Sequence, residues 1–168
     1  MSTVERHLKL LRIWMPLGVV FLIVDQYLKS LAVDSLKTQQ IFFGKSFFSA
    51  TLELHENAGS FLSLGAQFSE SMRNVVFVVG VSIILMVITA IWYRGIEKRR
   101  LQSIMLFLIL LGGIGNLIDR IINSGRVIDY IVLRFFSLHT GVFNFADVAI
   151  TVGVIGLLLE SWISKSVR

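Results

Sequence analysis

The sequence predicts an integral membrane protein, mainly α-helical, with four transmembrane helices forming a single domain over residues 1–168. Composition is the first observation behind this: 55% of the residues are hydrophobic, 16% are charged, and the mean hydropathy is +0.77. That balance is too apolar for an ordinary water-soluble core. Second, four apolar runs reach the ~20 residues that a helix needs to cross a bilayer. Third, the basic residues sit between these runs, and their alternation fixes an orientation.

The first run, about residues 13–33 (Ile13 to Val33), is interrupted by Asp25 and Lys29. A second, 74–93 (Asn74 to Tyr93), carries no charge. The third covers 101–122, uncharged from Leu101 to Ile118 and then carrying Asp119 and Arg120. The fourth covers about 144–164, with Asn144 and Asp147 at its start and Glu160 near its end. Backbone groups in lipid must be satisfied within their own segment, so all four runs are expected to be helices. The basic N-terminus, apolar core and Ala32 imitate a signal peptide, but a cleavable core is usually about 7–15 uncharged residues. Here Asp25 and Lys29 fall inside a 21-residue span, so the segment is expected to be retained.

The stretch from Asp34 to Arg73, 40 residues, is too long for a simple turn. Within it "FFSATLELHE" alternates Leu52 and Leu54 with Glu53 and His55, the period of a short strand at the outer membrane surface, in a β-rich segment of about 41–63. Residues 131–142, "IVLRFFSLHTGV", suggest a second strand, which leaves Asp129 in the loop before it.

The net charge of +5 raises nucleic acid as a partner, but its distribution argues against one. Segments 1–12, 94–100 and 164–168 hold nine Lys or Arg in 24 residues, whereas 34–73 and 123–143 hold five in 61. By the positive-inside rule both termini and the 94–100 loop are cytoplasmic. The chain has no cysteine, hence no disulfide framework and no thiolate nucleophile.

With this orientation, Asp25, Lys29, Asn116, Asp119, Arg120, Asp129, Asn144 and Asp147 all fall in the outer half or at the outer surface of the bilayer. An ionised group inside a bilayer costs roughly 2.5–3.5 kcal/mol on insertion scales, so one shared site explains them better than separate accidents. Helical spacing agrees. Asp25 and Lys29 are four apart, Asn116, Asp119 and Arg120 are at i, i+3 and i+4, and Asn144 and Asp147 are three apart. "GGIG", Gly112 to Gly115, removes side chains just below Asn116 and lets a neighbouring helix approach. Each feature alone has a plainer reading: a structural ion pair, helix packing, an interfacial charge pair, or an acid favoured by the helix dipole. Their coincidence favours function. No serine sits in a G-x-S-x-G elbow and no H-E-x-x-H occurs, so neither a serine nucleophile nor a metal is expected. What remains is a surplus of outer aspartates, and two close carboxylates can share a proton and hydrolyse a peptide bond.

These residues lie in motifs that resemble the lipoprotein signal peptidases (signal peptidase II), bacterial aspartyl proteases. The similarity runs over nearly the whole chain, through "VDQYLK" (Asp25, Lys29), "ENAGSF" (Asn57, Gly59), "GGIGNLIDR" (Asn116, Asp119, Arg120), "GRVIDY" (Asp129) and "FNFAD" (Asn144, Asp147). The resemblance implies that Asp129 and Asp147 are the catalytic dyad. It also implies that Asn57, Gly59, Asn116, Arg120 and Asn144 line or shape the site, with Asp25, Lys29 and Asp119 in support. The implied fold adds a small extracytoplasmic β-cradle and a flexible outer helix to the four spans. The implied substrate is a prolipoprotein signal peptide whose lipobox cysteine carries a diacylglyceryl group, cut just before that cysteine. No cofactor is implied. The expected setting is the bacterial inner membrane and its lipid, with the site toward the outer face and the protein monomeric. Two departures from the family pattern, Ser60-Phe61 and Tyr130, fall near the expected substrate groove.

Two other classes compete. An ion- or proton-coupled carrier would use intramembrane charges, but only Glu160 lies on the inner half of the spans. A membrane scaffold would use the glycines and charge pairs but not two outer aspartates with three asparagines. The orientation is testable directly: a reporter fused after Arg168 is expected to read cytoplasmic and one inserted near Gln67 external, and the reverse pattern would remove the shared site.

Overall fold

A computed structural model describes residues 3–45, 47–59, 69–96 and 100–166. The helices are α1 (Thr3–Leu36), α2 (Glu70–Gly95), α3 (Arg100–Ile122) and α4 (Phe145–Ser166). Each contains a stretch long and apolar enough to cross a membrane: Leu10–Leu36, Asn74–Gly95, Arg100–Ile122 and Phe145–Ser164. The expected spans coincide with these to within about three residues at each end. Asn144, expected inside the fourth span, stands just before α4.

α3 is the central helix, with α4, α2 and α1 arranged around it. In its most apolar window 39% of the residues are buried, against 11–22% for the other three, so those three turn most of their surface outward. This inside-out pattern suits a lipid surround. Toward the end of α2 and the start of α3, the core is aromatic: Phe107 stacks on Trp92 at 5.3 Å and meets Trp14 edge-on at 4.8 Å.

The strands β1 (Ile41–Lys45), β2 (Phe48–Asn57), β3 (Val127–Phe135) and β4 (Leu138–His139) form one antiparallel sheet in chain order. β2 covers the predicted alternating stretch, and the described strands of the 41–63 segment end at Asn57. Residues 60–63 of that segment, with the Ser60-Phe61 departure, lie outside the described residues. β3 corrects the expected position of Asp129, which is on a strand and not in a loop. Val127, Ile128, Asp129 and Tyr130 are all buried, so both faces of this strand are covered and no polar–apolar alternation marks it. The expected strand over 131–142 is divided accordingly between the end of β3, a turn, the two-residue β4 and a loop. The sheet is seated on the end of α1 by Ala32, Leu36 and Tyr130. A register shift between Leu52 and His55 brings Asn57 opposite Val127.

The α3–α4 contact depends on glycine. A Cβ on Gly112 would collide with the backbone carbonyl of Ala146, and one on Gly153 would come within 2.6 Å of the Met105 carbonyl oxygen. Backbone cannot swing aside as a side chain can. Gly112→Ala is therefore expected to cost ~1–3 kcal/mol of stability, whereas Gly80→Ala, with nothing within 4 Å of its added methyl, should cost nothing. Thermal unfolding of both variants in one detergent checks this, and equal melting temperatures would show that α3 and α4 can separate without loss.

Candidate active site

Lys29 on α1 is 3% exposed, so its ammonium must find partners inside the protein. It makes ion pairs with Asp25 one turn earlier at 3.0 Å and with Asp119 on α3 at 3.0 Å, and it donates to the Asn116 side-chain oxygen at 3.1 Å. Gln26 adds its amide, donating to Asp25 at 3.2 Å, to Asp119 at 3.0 Å and to the Gly115 carbonyl at 3.3 Å. Gly115 admits the cluster, since a Cβ there would lie 2.6 Å from Asp25 Oδ2. Asp119 Oδ2, the oxygen that pairs with Lys29, also accepts the backbone N–H of Ile128 at 3.0 Å and so ties the end of α3 to β3 one residue before Asp129.

Asn116 carries the network onward. Its oxygen takes Lys29, and its Nδ2 donates to Asp147 Oδ1 at 2.7 Å. Asn144 caps α4: its Oδ1 accepts the Asp147 N–H at 2.9 Å, while Asp147 Oδ2 accepts the Asn144 N–H at 3.1 Å. This is a reciprocal capping box with Asp at the third helical position. The Asn144 amide nitrogen, fully buried, donates to Asp129 Oδ1 at 2.7 Å and to Asn116 Oδ1 at 3.0 Å. Asn57, at the end of β2, donates to the other Asp129 oxygen at 2.9 Å. The Asn57 oxygen is engaged in turn by the N–H of Gly59, whose φ of +75° suits a residue without a side chain.

Asp129 and Asp147 thus meet at one residue, Asn144, which touches both carboxylates. Burial pushes the Asp129 carboxyl up to about 6, with the charge of Asp147 acting in the same direction; hydrogen bonds from Asn57 and Asn144 and the charge of Lys29 pull it back. A carboxyl poised there can hold a proton near neutral pH, as acid catalysis requires. Tyr130, the next residue on β3, is buried against Ala32 and Leu36, and burial pushes its phenol up to about 12, so it brings no charge.

The structure therefore joins eight of the residues singled out in the sequence, Asp25, Lys29, Asn57, Asn116, Asp119, Asp129, Asn144 and Asp147, in one hydrogen-bonded network. Gly59 acts through Asn57. Arg120 stands at the edge, donating to the Asn116 carbonyl at 3.3 Å with its guanidinium 5.9 Å from the Phe77 ring centroid. Gln26 and Phe77 were not foreseen. Gln26 had a usable signal, a polar side chain inside an apolar span beside Asp25, whereas Phe77 is one apolar residue among many.

Comparison with known proteins bears on this arrangement. The family model for signal peptidase (SPase) II matches residues 17–163. A lipoprotein signal peptidase of Pseudomonas fluorescens is 38% identical over 156 residues, covering 90% of this chain and 88% of that protein. The lipoprotein signal peptidase of Borrelia hermsii (strain HS1 / DAH) is 31% identical over 154 residues, with 88% of each chain covered. A solved structure described as a bacterial membrane enzyme, at 2.3 Å resolution, superposes with a TM-score of 0.78 at 22% identity, over 93% of this chain and 91% of its own, and shares the fold. With the match extending over both aspartates and all four spans, the chain belongs to the signal peptidase II family of membrane peptidases.

Proposed function

We propose that this protein removes the signal peptide from diacylglyceryl-modified prolipoproteins, cutting the peptide bond just before the lipidated lipobox cysteine, with Asp129 and Asp147 as the catalytic dyad. The observation that carries this reading is the Asn144 junction, one buried side chain bonded to Asp129 and, through its cap, to Asp147. The relatives named lipoprotein signal peptidase supply the substrate class.

In this reading Asp129 holds the proton that the pair shares. The Asp147 carboxylate, oriented by two N–H donors, takes a proton from water as the oxygen attacks the scissile carbonyl. Asp129 gives its proton to the carbonyl oxygen. As the tetrahedral diol collapses, one of its hydroxyls returns a proton to Asp129, the C–N bond breaks, and the proton held by Asp147 passes to the leaving amine. Asn57, Asn116 and Asn144 hold the two carboxylates in place, while Gly59 and Arg120 shape the approach. Asp25, Lys29 and Asp119 are the buried support. Both termini face the cytoplasm and the dyad faces outward, where a signal peptide with a cytoplasmic basic end presents its cleavage point.

Asp129→Asn and Asp147→Asn should each lower single-turnover cleavage of a lipidated prolipoprotein by about 10³-fold or more. The double variant should be hardly worse, because the pair acts as a unit. Substantial turnover in either single variant means that the wrong aspartates have been paired. Arg120→Lys keeps the charge but loses the planar fork of donors, so cleavage should fall by about 10- to 100-fold with membrane insertion unchanged.

The pH dependence has a definite sign. The Asp129 carboxyl in the folded protein lies above its ordinary value near 4. Its protonated form therefore favours folding fully below about 4, and that contribution is lost as the pH rises through about 6. If Asp129 is the acid, kcat/KM should fall on the alkaline side of about 6. Asn57→Ala removes a hydrogen bond that favours the charged form, so it should move that limb to higher pH. A profile unmoved by this substitution would take the acid role away from Asp129.

A further inference from the structure

The sheet has a second end, far from the dyad, that the chemistry does not use. Its middle row, Ile41–Leu52–Ile131, lies by the cluster of Ala32 and Leu36 at the end of α1, and Ile131 bridges to Phe143, two residues before α4 begins. From that row the strands run four residues further, roughly 13 Å at the rise of a β-strand. They finish in the row Lys45–Phe48–Phe135–Leu138. The Phe136 N–H donates to the Phe47 carbonyl at 3.0 Å and ties the two turns into one edge.

Six large apolar side chains stand on this edge: Phe43, Phe47, Phe48, Phe135, Phe136 and Leu138, each between 48% and 72% exposed. A contiguous apolar patch of this kind marks an interaction surface. Phe136 has a φ of +52°, a left-handed conformation that bulky residues avoid and that glycine or asparagine would fill more easily. A large ring retained there is kept at the expense of the turn. The charged residues on the same edge, Lys45 and Arg134, are both basic and exposed.

We infer that this edge is a lipid-surface anchor: the six apolar side chains enter the boundary between headgroups and acyl chains around the outer ends of α1 and α4, with Lys45 and Arg134 on lipid phosphates. Phospholipid is the occupant because the row from which the edge projects sits where those two membrane-crossing helices end, which puts the bilayer within reach of the edge. Phenylalanine and leucine without a polar handle suit the acyl boundary, and two cations suit phosphate. The inference rests on the chain spanning a membrane and is independent of the assignment of the dyad.

The chain has no cysteine, so a single label can be placed without removing native thiols. Leu138→Cys, carrying an environment-sensitive nitrobenzoxadiazole dye, would be reconstituted in vesicles of phosphatidylethanolamine and phosphatidylglycerol. Quenching by lipids bearing a doxyl group near the headgroup is expected to exceed quenching by aqueous iodide about twofold or more, as for a group at the interface. Strong iodide quenching without doxyl quenching would put the edge in water and overturn the anchor. A disulfide between two unlabelled Leu138→Cys chains at high lipid dilution would assign the edge to a second copy and also overturn it. Phe136→Gly, added to the labelled variant, keeps the turn and removes the ring. An unfolding temperature that holds or rises while doxyl quenching falls supports the anchor, whereas a lower unfolding temperature with unchanged quenching would give the ring to the fold.

Discussion

The ammonium of Lys29 sets the direction of the hydrogen bonds around it. It can only donate, so the Asn116 oxygen must face it and the Asn116 amide nitrogen must point away, toward Asp147. The same oxygen then accepts from Asn144, which turns the Asn144 nitrogen toward Asp129 and its oxygen toward the Asp147 N–H. A single buried cation thereby fixes the orientation of two amides that could otherwise be drawn either way round. Removing one partner of a buried pair such as Lys29–Asp25 typically costs ~3–5 kcal/mol, and here the loss would spread into the site through Asn116.

That dependence explains the layout of the fold. α1 brings the cation, α3 brings Asn116 and Asp119, α4 brings Asn144 and Asp147, and the sheet brings Asn57 and Asp129. α3 can reach all of these because glycines at 112 and 115 let Ala146 and Asp25 approach its backbone. The apolar helices keep a small inner core around Trp92 and Phe107 and leave most of their outward faces to lipid. Tight order is concentrated where charge is buried, in a low-dielectric setting that strengthens satisfied hydrogen bonds and penalises missing ones.

Much of this was legible in the sequence, for a physical reason. Crossing a bilayer constrains length and polarity so strongly that the four spans stand out, and polar residues inside them are conspicuous. Asp25, Lys29, Asn116, Asp119 and Asp147 were therefore visible as a group. Asp129 was visible as an acid but not as part of a strand. β3 is covered on both faces, so its residues show no alternation, and the pairing that defines it comes from β2, about 70 residues earlier. Gln26, a polar side chain inside an apolar span beside Asp25, was legible in the same way but was overlooked, although it bridges two carboxylates. The role of Asn57 depends on the register shift at Leu52 and His55, which no local pattern announces.

Asn144 narrows what substitution can do at its position. As a helix cap it could be exchanged for Ser, Thr or Asp with little loss. As a bridge it cannot, because serine and threonine are too short to serve Asp147, Asn116 and Asp129 together, and aspartate would set a third carboxylate against the two already there. Glutamine keeps the amide but adds a methylene at a fully buried site. Helix nucleation and the placing of Asp129 against Asp147 are thus written into one side chain, and sequence drift that would be harmless at the start of an ordinary helix is closed off at this one.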